Sequence, residues 1–497
     1  MCGIAGVFQE PASQAVVTMI KNISHRGPDG HGVVGVPNGT LGHTRLAILD
    51  VEGGHQPMDY QETSIVFNGE IYNYRELKRK HLPGLRVKTH SDTEVLIHLY
   101  RKLGTDIVKE LDGMFAFALQ HNGELFMARD PIGIKPLYYG RSPDGKKFFF
   151  ASEIKALMGH VKRIKEFPAG HWYHSRLGWH KFYQLEKTIQ PFSGTEDEAI
   201  PKIKSILRSA VYKRLLADVP VGVSLSGGLD SSIVTALARE ETERLHSFAV
   251  GVEGSPDLEA ARQMSRYLDT IHHEYIYNTE DMIEALPNVL YHLESFDPAL
   301  VRSSIPNYFL AKLASEHVKV ILTGEGADEV YAGYDYLARY DSPDELQGEM
   351  IDITNALHNT NLQRADRMSM AFGLEARVPF LDVKSVSFAM GIPADWKLHE
   401  QRVPKQLLRQ SFTDDLPEEI VNRPKAKFSK GAGSSELIAQ EAVAKITDKE
   451  FASERERFKK DWDYNLQNKE ALYYYRTLRE FYDDEWILPT MGKSRSL

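Results

Sequence analysis

Residues 219–232 read Val219-Pro220-Val221-Gly222-Val223-Ser224-Leu225-Ser226-Gly227-Gly228-Leu229-Asp230-Ser231-Ser232. An apolar run that ends in a Ser/Gly loop and opens into a helix is a strand–loop–helix unit. Its glycines let backbone N–H groups approach an anion, and the helix N-terminus faces it. No lysine follows, so this is not the Gly-x-x-x-x-Gly-Lys phosphate loop. Asp230 repels a phosphate unless Mg2+ bridges the two. Ser226, Gly227, Gly228, Asp230, Ser231 and Ser232 therefore suit a magnesium-bound pyrophosphate, the group that leaves when ATP is cleaved to AMP. A serine-capped helix after a glycine turn is the competing reading, and it accounts for neither the strand before the loop nor the acid inside it.

Beyond that loop, apolar and helical runs alternate: 221–225, a helix from Ser232, 247–252, a helix over 258–268, 273–276, a helix over 305–315, and 318–322. The alternation predicts a parallel, doubly wound α/β sheet. Its last strand enters a second loop, Thr323-Gly324-Glu325-Gly326-Ala327-Asp328-Glu329. Ligands of such sheets bind beyond the carboxyl ends of the strands. Asp328 is thus a candidate second Mg2+ ligand, and Glu325 a group that deprotonates an amine or positions the substrate. Residues 352–482 read as mostly helical. Lys425, in the basic loop 422–431, is a candidate to stabilise a charged transition state; by itself that loop reads as a solvated basic segment.

Residues 1–185 have another character. Short runs at 3–8, 32–36, 40–47, 64–68, 115–120, 124–129 and 148–151 are separated by Gly, Pro and Asp turns, with helical stretches at 73–80 and 93–102. This is an α+β pattern of stacked strand layers with helices outside. Residues 188–198 carry Pro, Ser and Gly, and a helical run covers 198–216. The expected division is 2–185, a linker at 186–200, and 201–497.

Cys2 heads the first part. Once the initiator Met is trimmed, its α-amine, with a reference pKa of about 8, sits beside its own thiol, so one residue supplies nucleophile and base. An amide-hydrolysing thiol needs an oxyanion hole, and Asn68 with the Gly69 N–H offers two donors. A zwitterionic amino acid needs a cation for its carboxylate and an anion for its ammonium; Arg45, and Asp92 with Glu70, fit those roles. Singly, each has a plainer reading: a buried small hydrophobe, a hairpin turn, a helix N-cap. Together they make a site.

Composition narrows the rest. The chain has 497 residues, 42% hydrophobic and 26% charged, which suits two to four globular domains at roughly 100–200 residues each. A net charge of −9 with no Lys/Arg block argues against nucleic acid. One cysteine excludes an intrachain disulfide framework and a Cys-rich metal site. No apolar run suits a membrane span and the N-terminus does not read as a signal peptide, so the expected compartment is the cytoplasm. The oligomeric state stays open, a homodimer included.

The opening Met-Cys-Gly-Ile-Ala-Gly, residues 25–30 (His-Arg-Gly-Pro-Asp-Gly), 67–73 (Phe-Asn-Gly-Glu-Ile-Tyr-Asn) and 129–133 (Arg-Asp-Pro-Ile-Gly) resemble class II glutamine amidotransferases. Residues 226–232, 246–251, 323–329, 364–382 and Lys425 resemble the synthetase half of glutamine-hydrolysing asparagine synthetases. The resemblance implies an N-terminal-nucleophile hydrolase sandwich followed by an ATP-pyrophosphatase domain. It implies glutamine hydrolysis at Cys2, ammonia transfer through a tunnel, and amidation of β-aspartyl-AMP made from aspartate and MgATP. By motif, Arg45, Leu46, Ala47, Ile48, Leu49, Asn68, Gly69, Glu70 and Asp92 match glutamine contacts. Leu225, Val250, Thr323 and Gly324 match ATP contacts, Asp230 and Asp328 magnesium ligands, and Glu325 and Lys425 residues of the adenylation step. Arg302 is placed to bind the acceptor carboxylate, but Ala299 and Leu300 stand where many relatives carry paired threonines. An amidotransferase of this build acting on another carboxylate is the alternative. Retention of Cys2, Asn68 and Asp92 argues against a β-lactam-forming synthetase, and the 226–232 loop excludes a phosphoribosyl-amine-forming enzyme.

Overall fold

Alternation along β1 (Gly3–Phe8) separates two apolar cores: Ile4 and Phe8 enter one, while Ala5 and Val7 face helix Ser13–Asn22 in another. The computed structural model describes residues 2–398, 403–424 and 435–492. Eleven further strands complete the first half: β2 (Gly30–Val36), β3 (Gly39–Arg45), β4 (Met58–Tyr60), β5 (Thr63–Ile71), β6 (Gly113–His121), β7 (Glu124–Arg129), β8 (Tyr138–Arg141), β9 (Phe148–Ala151), β10 (Lys165–Glu166), β11 (His171–His174) and β12 (Gly178–Lys181). They form two antiparallel six-stranded sheets, ordered β10-β8-β9-β1-β3-β2 and β12-β11-β7-β6-β5-β4. Val66, Ala116 and Ala118 meet Ile4 between the sheets. The alternate residues Ile65, Phe67, Phe115 and Phe117 pack outward on helices Tyr74–His81 and Asp92–Leu103. The result is the expected sandwich of two β-layers between helices.

The second half is built on β13 (Val221–Ser224), β14 (His246–Gly251), β15 (Ile271–Ile276), β16 (Val320–Leu322) and β17 (Glu375–Arg377). All four pairings are parallel, in the order β15-β14-β13-β16-β17. The chain runs outward from β13 to β15, then returns to the other side of β13. That reversal opens a crevice between the loops after β13 and β16, where ligands of such sheets bind.

Among the boundaries that differ from expectation, three are set by caps. The helix expected from Ser232 is Leu229–Glu241, because extended Gly228 caps it and brings Asp230 into the first turn. The helix expected at 305–315 is Pro298–Ser315; Pro298 starts it and the Asp297 side chain accepts the Leu300 N–H. Residues 196–200, expected as linker, open helix Glu196–Lys213, where Thr195 and Glu198 form a capping box. The two halves share their cores: Leu46, Ile48 and Met114 pack in one cluster with Val223, Leu225 and Phe380. No described helix is long and apolar enough to cross a membrane.

Candidate active site

Cys2 immediately precedes β1, an inner strand of the first sheet, and its thiol is buried. Its backbone N–H donates to Asn68 Oδ1 over 3.1 Å, which orients that amide. Asn68 Nδ2 is buried with no acceptor among the described residues. Leaving such a donor unsatisfied costs about 1–3 kcal/mol, and an oxyanion formed beside Cys2 is what would satisfy it. Gly69 must be glycine, because a Cβ there would stand 2.1 Å from the Met114 carbonyl oxygen. Burial pushes the Cys2 thiol pKa up, so the resting group is a thiol that needs a base.

Of the expected glutamine contacts, Leu46 meets Cys2 directly, its carbonyl 3.9 Å from Sγ. Arg45, at the end of β3, donates to the carbonyls of Val51 (2.8 Å) and Asp50 (2.7 Å), which ties down the following loop. Leu46, Ala47, Ile48 and Leu49 are buried beside it, with the Ala47 N–H on Asp29 Oδ2 at 2.8 Å. Asp92 opens its helix and accepts the Ile71 N–H at 2.9 Å; burial raises its pKa to about 6. Glu70 is raised well above the carboxylate range, first by burial and then by Glu375. The Arg377 guanidinium lies 3.6 Å from Glu70.

At the crevice of the parallel sheet, Leu225 donates its N–H to the Phe248 carbonyl over 2.9 Å, and Val250 is buried in the neighbouring strand. The loop closes on itself through Ser226 and Ser231, whose hydroxyls are 3.1 Å apart, and through Ser231 Oγ to the Gly228 carbonyl at 3.0 Å. Ser232 Oγ and Asp230 Oδ1 are buried without hydrogen-bond partners among the described residues. Lys405 Nζ bridges Asp230 Oδ2 (2.5 Å) and Asp328 Oδ1 (2.6 Å), so the two carboxylates converge on one cation. Hard oxygen donors meeting at one point, one of them an orphaned buried oxygen, fit Mg2+. Next to them, the Glu325 carboxylate pairs with Arg364. Burial and then Asp328 push Glu329 up to about 7, while Tyr334 donates to it at 2.5 Å. The Thr323 N–H is held by the Arg377 carbonyl at 2.9 Å, and Gly324 follows it. Arg377 thus touches Glu70 of the Cys2 centre and supports the loop of the other.

One expected residue stands apart from these clusters, and another lies beyond what the structure describes. Arg302 lies in helix Pro298–Ser315 with its guanidinium on Glu470, Nε to Oε1 at 2.7 Å. To hold an acceptor carboxylate it has to exchange that partner. Lys425 lies outside the described residues. Several residues were missed. Arg26 donates from Nε to the Cys2 carbonyl at 3.1 Å; Lys405, Arg364 and Arg377 neutralise site carboxylates; Arg423 fastens the Ser226 carbonyl (3.3 Å) to Asp257 (2.7 Å). The only available signal was that Arg26, Arg364, Arg377 and Arg423 fall in the quoted stretches. Lys405 has no local signature.

The glutamine amidotransferase domain family matches residues 1–178, and the asparagine synthase family matches residues 202–350 and 338–487. The chain is similar to asparagine synthetase (glutamine-hydrolyzing) 1 of Arabidopsis thaliana, at 38% identity over 97% of this chain and 86% of that one. It is similar also to asparagine synthetase (glutamine-hydrolyzing) of Sandersonia aurantiaca, at 38% identity over 97% of this chain and 96% of that one.

Proposed function

The chain belongs to the glutamine-hydrolysing asparagine synthetases, and we propose that it makes asparagine from aspartate, ATP and the amide nitrogen of glutamine. The observation that carries the reading is the pairing, in one packed molecule, of Cys2 beside the unsatisfied Asn68 amide with the Asp230–Lys405–Asp328 cluster. In this reading residues 2–185 are the glutaminase, 186–200 the connection and 201–497 the synthetase, working in the cytoplasm. The α-amine of a trimmed Cys2 takes the thiol proton. The sulfur attacks the glutamine γ-carbonyl, and Asn68 Nδ2 and the Gly69 N–H receive the oxyanion. Ammonia leaves, and water releases glutamate from the thioester. Arg45 orients the substrate carboxylate, while Asp92 and Glu70 face its ammonium.

On the synthetase side, Leu225, Val250, Thr323 and Gly324 hold ATP, and residues 226–232 take its pyrophosphate portion. Asp230 and Asp328 would hold Mg2+, which supplies charge neutralisation on the leaving pyrophosphate. Lys405 is placed to move from the carboxylates to the phosphates as they arrive. Glu325, steadied by Arg364, positions the acceptor carboxylate or deprotonates the incoming ammonia, and Lys425 is assigned to the adenylation step. The alternative, another carboxylate acceptor, rests on Ala299, Leu300 and the hold of Glu470 on Arg302. Product analysis by mass spectrometry with glutamine, MgATP and a panel of carboxylates tests both. Asparagine, AMP and pyrophosphate in equal amounts are expected from aspartate. Stoichiometric ADP and phosphate, or turnover only with another acceptor, would overturn the assignment.

A further inference from the structure

At the opposite, amino end of the parallel sheet, three imidazoles converge away from both centres. His246 opens β14, His273 lies in β15, and His317 sits in the turn between helix Pro298–Ser315 and β16. The register pairs Phe248 with His273, and His246 precedes Phe248 by two residues, so His246 and His273 share a sheet face. His246 Nδ1 is 3.0 Å from His273 Nε2, the His273 and His317 ring centroids are 3.9 Å apart, and one nitrogen of each ring lies within 4.8 Å of the others.

Two ring nitrogens that close must share a proton or a cation. On a tetrahedral zinc ion, with Zn–N bonds of about 2.0–2.1 Å, ligand nitrogens stand about 3.3 Å apart. The neighbouring His272 gives the contrast: on the other face, its ring is committed to Ser247 Oγ at 2.8 Å and Glu274 at 3.1 Å. An all-nitrogen set favours zinc-class ions over magnesium. Exposed His317 gives entry from solvent.

We propose that His246, His273 and His317 form a binding site for a divalent transition-metal ion of the zinc class, one that ties β14, β15 and the start of β16 together. The nucleotide loops leave from the other edge of the sheet, so the ion is a structural staple and takes no part in the chemistry. The test is calorimetric titration of chelator-stripped full-length protein with Zn2+, alongside thermal melts. One saturating equivalent and a zinc-dependent rise in Tm are expected. His317→Gln and His273→Gln each should weaken that binding by more than the ~10–100-fold that loss of an outer-shell partner costs, and should abolish the Tm rise. Cys2→Ala should retain both, which separates this site from zinc taken by the thiol. His317 is exposed, so His317→Gln decides the matter even where His273→Gln folds poorly. Equal zinc affinity and stoichiometry in wild type and His317→Gln, or no saturable binding by wild type, would show that the rings merely stack.

Discussion

At the scale of single residues, the proposed scheme makes the Cys2 centre a nucleophile, a donor and a titrating acid. Cys2→Ala removes the nucleophile and nothing on the synthetase side. It is expected to abolish glutamine-driven synthesis and keep ammonia-driven synthesis, measured as asparagine formed with each nitrogen source; equal loss with both would break the two-centre scheme. Asp92, raised to about 6, gives a pH signature. As pH falls through about 6 its carboxylate protonates, and in the proposed scheme the glutamine ammonium loses its partner. KM for glutamine is therefore expected to rise below that pH with a smaller change in kcat. Stability runs the other way. The folded-state value lies above the ordinary carboxylate value of about 4, so ionisation disfavours the fold, and this loss accrues as pH climbs from about 4 to about 6. Asp92→Asn should remove the KM limb and that stability change together; a KM independent of pH in wild type would leave Asp92 as a helix opener only.

At the scale of elements, the two loops of the parallel sheet were legible because glycines and acids follow short apolar runs there, and a strand that ends in such a loop places them at the ligand edge. β17 was not legible as a strand: Glu375-Ala376-Arg377 is three residues long and carries two charges, and it is recognised as a strand by its pairing with Lys319 and Thr323. Helix starts were misread wherever a side chain or glycine cap, rather than periodicity, sets the boundary, as at Gly228 and Asp297. Lys405 was invisible for a related reason. It comes from a distant segment, and a close approach makes room for it: a Cβ on Gly333 would lie 2.1 Å from Asp328 Oδ1 and 2.2 Å from Lys405 Cε. Gly333→Ala is therefore expected to displace the Asp230–Lys405–Asp328 cluster, cutting acceptor-dependent pyrophosphate release at least about tenfold, equivalent to 1.4 kcal/mol in the barrier. Glutaminase turnover at Cys2 should persist. Undiminished pyrophosphate release would mean that the cluster tolerates the shift.

At the scale of the whole molecule, the halves are joined by apolar cores and by buried ionic contacts, among them a network around Arg26 and Asp366. Arg26 Nη1 reaches Glu153 and Asp366 at 2.7 Å each, and Lys155 reaches Glu153 (2.5 Å) and Glu294 (3.0 Å). Arg367 pairs with Glu294 (3.0 Å) and Asp366 (3.1 Å). Three cations and three carboxylates balance, and because neither half contains the full set, separation would leave charges unpaired. Arg26 also holds the Cys2 carbonyl, while Asp366 shares helix Asn361–Met370 with Arg364, the partner of Glu325. The network thus ties the nucleophile strand to the helix that steadies the other centre. Breaking a buried pair by removing one partner costs about 3–5 kcal/mol, so Asp366→Ala should lower Tm markedly. Asp366→Asn keeps the shape and isolates the charge. Burial pushes Asp366 up, but Arg26 and its hydrogen bonds outweigh it and hold the carboxyl below the ordinary value. That stabilisation is complete above about 4 and is lost as pH falls through the lowered folded-state value. Asp366→Asn should accordingly show a shallower loss of stability on acidification than wild type, together with a higher ratio of glutamate to asparagine formed, because the Cys2 strand and the Glu325 helix no longer share a fixed partner. An unchanged ratio with a changed acid limb would assign the network to assembly of the halves alone.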